Sequence, residues 1–111
     1  MKPALTLTQR NDLIQTLQGI TFGSYEQYTS RGNIIKLLTI TKDEVLAIGG
    51  KEDEAGELLW PIFADVKGKE FDLTEFKNYF KSVVPLLNQR GQLPFSWIEI
   101  FEKEKILKPK E

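Results

Sequence analysis

The sequence predicts an α+β domain in which a small, mostly antiparallel sheet of three to four strands carries two or three helices packed on one side. Three observations lead there. Apolar residues make up 41% of 111 residues and charged residues 28%, the balance of one soluble globular core. Two segments, Ile34–Ile40 and Leu58–Val66, are dense in β-branched and aromatic residues, as strands are. A third segment, starting at Leu73, repeats apolar residues at helical spacing. Residues 1–111 are therefore read as a single globular domain, with no internal repeat and no Ser/Pro/Gly-rich linker.

The first element is a helix from Leu7 to Gln18, capped by Thr6 or Thr8, with Leu13 and Leu17 on its apolar stripe. Gly19 is its expected left-handed terminator. From Ile20 to Ser30, Gly23-Ser24 and the Thr29–Asn33 cluster read as turns around a short piece holding Tyr25 and Tyr28. Ile34 to Ile40 is apolar on both faces, as an inner strand would be. Thr41-Lys42-Asp43-Glu44 has two readings. It is either a hairpin turn leading to a strand at Val45–Ile48, or a capping box opening a two-turn helix closed by Gly49. The β-prone flanks favour the hairpin.

Residues 51–57 form a polar connection into the strand Leu58–Val66, where Pro61 lacks a donor and so demands a sheet edge or a bulge. Asp72 and Glu75 then make a capping box for a helix whose stripe is Leu73, Phe76, Phe80, Val83 and Leu87. Pro85 is expected to kink or break it near Val84, and Arg90-Gly91-Gln92 ends it. The last segment, Phe95–Leu107, reads as a helix capped by Ser96, with Glu99 at the third position and Pro109 beyond its end. A strand is the competing reading, because Trp97, Ile98, Ile100 and Phe101 favour β structure.

Function is first bounded by what is missing. The chain contains no Cys and no His, which excludes disulfides, thiolate nucleophiles, Ser-His-Asp machinery and the usual zinc or haem sites. No apolar run approaches the ~18–20 residues of a membrane span, and no signal-peptide pattern opens the chain, so a cytoplasmic location with no membrane partner is expected. Net charge is −1, but it is unevenly spread. Residues 49–72 hold seven acidic and three basic groups, an acidic island in an otherwise slightly basic chain.

Oxygen-ligand metal chemistry survives these exclusions. Asp53, followed by Asp65-Val66-Lys67, resembles the skeleton of the PD-(D/E)xK nucleases over fifteen residues. That resemblance implies two carboxylates on Mg²⁺ and a lysine that positions or activates water. The chain departs from the pattern in having no Pro before Asp53, which lies in a polar loop rather than at a strand end. Gly49-Gly50-Lys51 lacks the spacing of a phosphate loop and is followed by three carboxylates, so it reads as a turn. In the tail, Lys103, Lys105, Lys108 and Lys110 alternate with Glu102, Glu104 and Glu111, a salt-bridged face rather than a phosphate track. Tyr25, Tyr28 and Arg31 form a thin aromatic and basic group; nucleic acid is not the favoured partner.

The favoured reading is a cofactor-free, non-catalytic binding protein of the inhibitor, immunity or adaptor type. Glu52, Asp53, Glu54 and Glu57 would present a negative surface to a basic enzyme or toxin, and Trp60 and Phe63 on an edge strand would anchor it. Taken residue by residue, the sequence favours the plainer alternative, a solvated loop for the acids and core packing for the two aromatics. Two alternatives remain: the Mg²⁺-dependent enzyme using Asp53, Asp65 and Lys67, and a subunit that self-associates through an exposed strand edge to form a homo-oligomer.

Overall fold

A computed structural model describes residues 1–108 as a small α+β domain with five helices and two short antiparallel ladders. The expected single sheet of three to four strands is thus replaced by two pairs. Strand β1 (Ala4–Leu5) pairs with β4 (Lys69–Glu70), and β2 (Lys51–Glu52) pairs with β3 (Leu58–Leu59). The rest of the architecture is helical: α1 (Leu7–Gln18), α2 (Tyr25–Leu38), α3 (Lys42–Ala47), α4 (Lys77–Gln89) and α5 (Phe95–Lys103).

Helix α1 has the expected bounds. Thr6 is the cap, and it exchanges hydrogen bonds with Gln9 in a reciprocal box. Gly19 ends the helix in a right-handed conformation, φ −77°, not the left-handed one expected of it. The larger difference is α2. Residues 34–38 of the expected strand Ile34–Ile40 are instead the end of a helix whose cap, Ser24, lies ten residues upstream and forms the same kind of box with Gln27. Ile34 and Leu38, four apart, are both fully buried, whereas Leu37 faces out. One helical face takes the buried positions, and β-propensity yields to that packing.

The hairpin expected at 41–48 is likewise a helix. Thr41 and Glu44 make the capping box of α3, and Val45 is its buried residue. Gly49 turns out of α3 at φ +83°, and a Cβ on Gly50 would collide with Val45 and the Leu59 carbonyl. The glycine pair is the turn that joins α3 to β2.

Before α4, Asp72 accepts the Thr74 amide at 3.0 Å, but Glu75 completes no box; a 3₁₀ turn at Thr74–Phe76 leads into the helix instead. Phe76, Phe80, Val83 and Leu87 are buried as their spacing requires. Helix α4 runs through Pro85 to Gln89 without the expected break. Pro85 and Lys81, whose carbonyl loses its donor to the ring, both lie on the exposed side.

The last segment is the helix rather than the strand, but Ser96 does not cap it. Pro94 holds that position with no side-chain bond, and Ser96 Oγ donates instead to Asp12 in α1 at 2.7 Å. The helix also stops short of Leu107. Lys105 adopts φ +60°, the Lys105 amide bonds the Glu102 carbonyl, and the Ile106 amide returns to the Phe101 carbonyl, a Schellman closure with Ile106 buried. Glu104 therefore lies beyond the helix, 3.9 Å from Lys77. Pro109, Lys110 and Glu111 lie outside the described residues. Leu13 and Leu17 of α1, Ile34 and Leu38 of α2, Phe80 and Val84 of α4, and Trp97 and Phe101 of α5 meet in one core.

Candidate functional site

The acidic island becomes a hairpin. β2 and β3 are joined by a tight loop in which Asp53 Oδ1 accepts the amides of Ala55 (2.9 Å) and Glu57 (2.8 Å). Gly56, at φ +82°, supplies the left-handed residue that the turn needs. Glu52 pairs with Lys42 at 3.1 Å. Glu54 and Glu57 are exposed and carry no ion pair among the described residues. The surface charge of this loop rests on those two. Asp53 serves its geometry.

The edge strand expected at Leu58–Val66 extends only over Leu58–Leu59. Pro61 has no amide hydrogen to continue the ladder, and the chain winds into a 3₁₀ turn at Ile62–Ala64. Two anchors fasten this segment to the start of α1. The Asp65 carboxylate accepts the amides of Leu7 (2.9 Å) and Thr8 (2.6 Å) and the Thr8 hydroxyl (2.6 Å). First-turn amides have no acceptor within their own helix, and the positive helix end favours a carboxylate. Trp60 Nε1 donates to the same Thr8 oxygen at 3.2 Å.

Between and beyond the anchors the apolar side chains point outward. Ile62 is 74% exposed, Phe63 86% and Val66 79%. Trp60 is half-buried. Of the two aromatics expected on an edge strand, Trp60 therefore secures the segment and Phe63 is presented to solvent from a turn. Ile62 and Val66, which join Phe63 as exposed apolar residues, were not legible as site residues. Their flanking Pro61 and Asp65 are the only local signal.

The same contacts bear on the nuclease-like trio. Asp65 is a helix cap and Asp53 a loop cap, and no group of three or more His, Cys, Asp or Glu is placed to hold a metal among the described residues. Asp65→Ala is expected to lower stability by about 1–2 kcal/mol, the usual value of an N-terminal cap. Urea midpoints measured with and without Mg²⁺ check this. A midpoint that Mg²⁺ raises in the wild type but not in Asp65→Ala would restore the metal role.

Tyr25, Tyr28 and Arg31 lie on α2. Arg31 Nη1 donates to the Leu17 and Ile20 carbonyls (3.2 and 3.0 Å), closing the end of α1, and its guanidinium lies 5.4 Å from the Tyr28 ring. No helix among the described residues is long and apolar enough to cross a membrane. No family model, characterised protein or solved structure matches this chain.

Proposed function

We propose that this chain is a non-catalytic protein-binding domain, of inhibitor, immunity or adaptor type, that docks a basic protein through the turn at residues 61–66. The observation that carries the reading is the exposure of Ile62, Phe63 and Val66 on a segment fastened by Trp60 and Asp65. Exposed apolar residues grouped in this way mark interaction surfaces, and a turn already held in place loses little freedom on binding. Phe63 is the anchor, since aromatic side chains dominate the energetics of such contacts. Glu54 and Glu57, on the hairpin that leads into the turn, supply the charge that selects a basic partner.

The test compares the wild type with an Ile62→Ser/Phe63→Ser variant and a Glu54→Lys/Glu57→Lys variant as baits for soluble proteins of the source cell. Both variants are expected to keep wild-type stability within about 0.5 kcal/mol, because the altered side chains are exposed. The apolar variant is expected to lose the partner. The charge variant is expected to associate more slowly, with a weaker dependence on salt. A partner retained equally by all three proteins would sink the proposal. A concentration-dependent mass in light scattering, abolished in the apolar variant, would replace it with self-association.

A further inference from the structure

A second feature lies at the opposite end of α1, about 18 Å from the turn at 61–66 by helix rise. Here α1 ends, α2 begins, and the last turns of α4 pass beside the connection Ile20–Gly23. Together they enclose a cleft of about 290 Å³, at the small end of small-molecule sites. Phe22, Tyr28, Val83, Leu86 and Leu87 give it an apolar wall. Arg31, Arg90 and the Tyr79 hydroxyl face it together with the neutral polar residues Thr21, Ser24 and Gln27, and no Asp or Glu lines it.

Arg31, Arg90 and Tyr79 each have donor capacity left over. Arg31 is fixed through Nη1 to two carbonyls, while its Nε and Nη2 donate to no other described residue. The Arg90 guanidinium lies 4.6 Å over the Phe22 ring and has no carboxylate partner among the described residues. Tyr79 is only 7% exposed, yet its hydroxyl bonds to no described residue and is not sealed from solvent. Burial pushes the phenol above its ordinary range and Arg31 partly offsets this, so the group stays a neutral O–H donor at physiological pH. The hydroxyl reaches solvent from a largely buried ring, so it is free to donate to an acceptor that a ligand supplies.

The geometry points to this cleft as a binding site for a small apolar monocarboxylate. Arg31 and the Tyr79 hydroxyl hold the carboxylate, Arg90 adds positive charge, and the hydrocarbon body packs on Phe22, Tyr28 and Leu86. The absence of any lining carboxylate, set against two arginines, selects the anion; the apolar wall selects a hydrocarbon body over a free phosphate. The site shares no residue with the turn at 61–66, so it stands or falls independently of the protein-binding reading.

Octanoate is the probe, titrated into isotope-labelled protein and followed by NMR. Saturable shifts confined to residues 20–31 and 79–90 are expected. Tyr79→Phe keeps the ring and removes only the hydroxyl, and is expected to weaken octanoate about tenfold with an unchanged thermal midpoint. Arg90→Gln is expected to weaken it as well, on an intact fold. Octanol, with the same chain and no charge, is expected to bind at least about tenfold more weakly. The proposal is overturned if octanoate gives no saturable shifts, if octanol binds equally well, or if Tyr79→Phe folds and binds like the wild type. Displacement of octanoate by equimolar inorganic phosphate would also overturn it, by showing a bare anion site.

Discussion

Trp97→Ala is expected to lower the free energy of unfolding by about 3–5 kcal/mol, a large share of the roughly 5–15 kcal/mol that holds a small domain together. Trp97 is the largest fully buried side chain, and its ring centroid lies 5.5 Å from that of Phe101. Phe101 in turn lies 5.5 Å from Phe80, so the indole belongs to an aromatic row that joins α5 to α4. On its other side Nε1 donates to the Gln9 carbonyl of α1 at 2.6 Å. Alanine would leave a cavity bordered by three helices, none of which can close it without moving the others. Trp97→Phe separates the contributions, since it keeps much of the aromatic packing and loses the N–H; about 1–2 kcal/mol is expected for it. Urea titration followed by far-UV circular dichroism measures both. A loss below about 1 kcal/mol for Trp97→Ala would mean that α5 is a peripheral element and that the core is closed without it.

What was legible in the sequence follows the range of the interactions. The stripe Phe76, Phe80, Val83 and Leu87 needs only helical spacing, and all four residues are buried. The bounds of α1 need only Thr6 and Gln9, three residues apart. The same Ser/Thr-x-x-Glu/Gln spacing recurs at Ser24/Gln27, where the sequence reads as turns, and at Thr41/Glu44, where β-prone flanks favour a hairpin, and in both places it marks a helix start. Ile34 to Ile40 is the instructive case. A run apolar on two faces fits an inner strand and a buried helix equally well, and the cap ten residues upstream decides between them.

The candidate site was legible in part for the same reason. The acidic loop and Phe63 stand out by composition, but their roles depend on distant partners. Asp65 reaches Thr8, 57 residues away, and that contact turns a supposed strand into a fastened turn. Trp60 and Phe63, three residues apart, look equivalent in sequence; one is tied to Thr8 and the other is exposed. The cleft at the far end of α1 combines residues from α2 and α4, and only Tyr28 and Arg31 stand out from their neighbours as an aromatic and basic pair. Arg10 gave no signal at all, being one charge in a helix whose burial its neighbours do not betray.

Arg10 nevertheless carries the second large expectation. It is 2% exposed, the only buried charged residue among those described. Its Nε donates to the Leu38 carbonyl at 3.1 Å and its Nη2 to the Thr39 carbonyl at 2.7 Å, groups at the end of α2 that no further helical turn can satisfy. Nη1 and Nη2 also bind both carboxylate oxygens of Glu44, the capping-box residue of α3, and the guanidinium lies 4.9 Å over the Phe71 ring. One side chain of α1 thus holds the end of α2 and the start of α3. Arg10→Met is expected to cost about 3–5 kcal/mol, because it strands a carboxylate and two carbonyls rather than removing a pair cleanly. Glu44→Gln keeps an acceptor for Thr41 and removes only the charge, so it is expected to cost less, and adding it to Arg10→Met should recover part of the loss. The pH dependence isolates the pair. Hydrogen bonding from Arg10, with smaller contributions from Thr41, holds the Glu44 carboxyl at about 2 against its ordinary 4.5. Because the folded value is the lower one, the stabilisation is complete above the unfolded value and disappears as pH falls from about 5 towards 2. A quarter of the Glu44 side chain is exposed, and solvent screening reduces the contribution to about 1–2 kcal/mol. Asp72, whose carboxyl the Thr74 hydroxyl and amide also hold low, adds an acid-sensitive part that every variant shares. Urea midpoints of wild type and Glu44→Gln should therefore converge between pH 5 and pH 2. Curves that stay parallel across that interval would show that the Arg10–Glu44 contact does not hold the three helices through its charge.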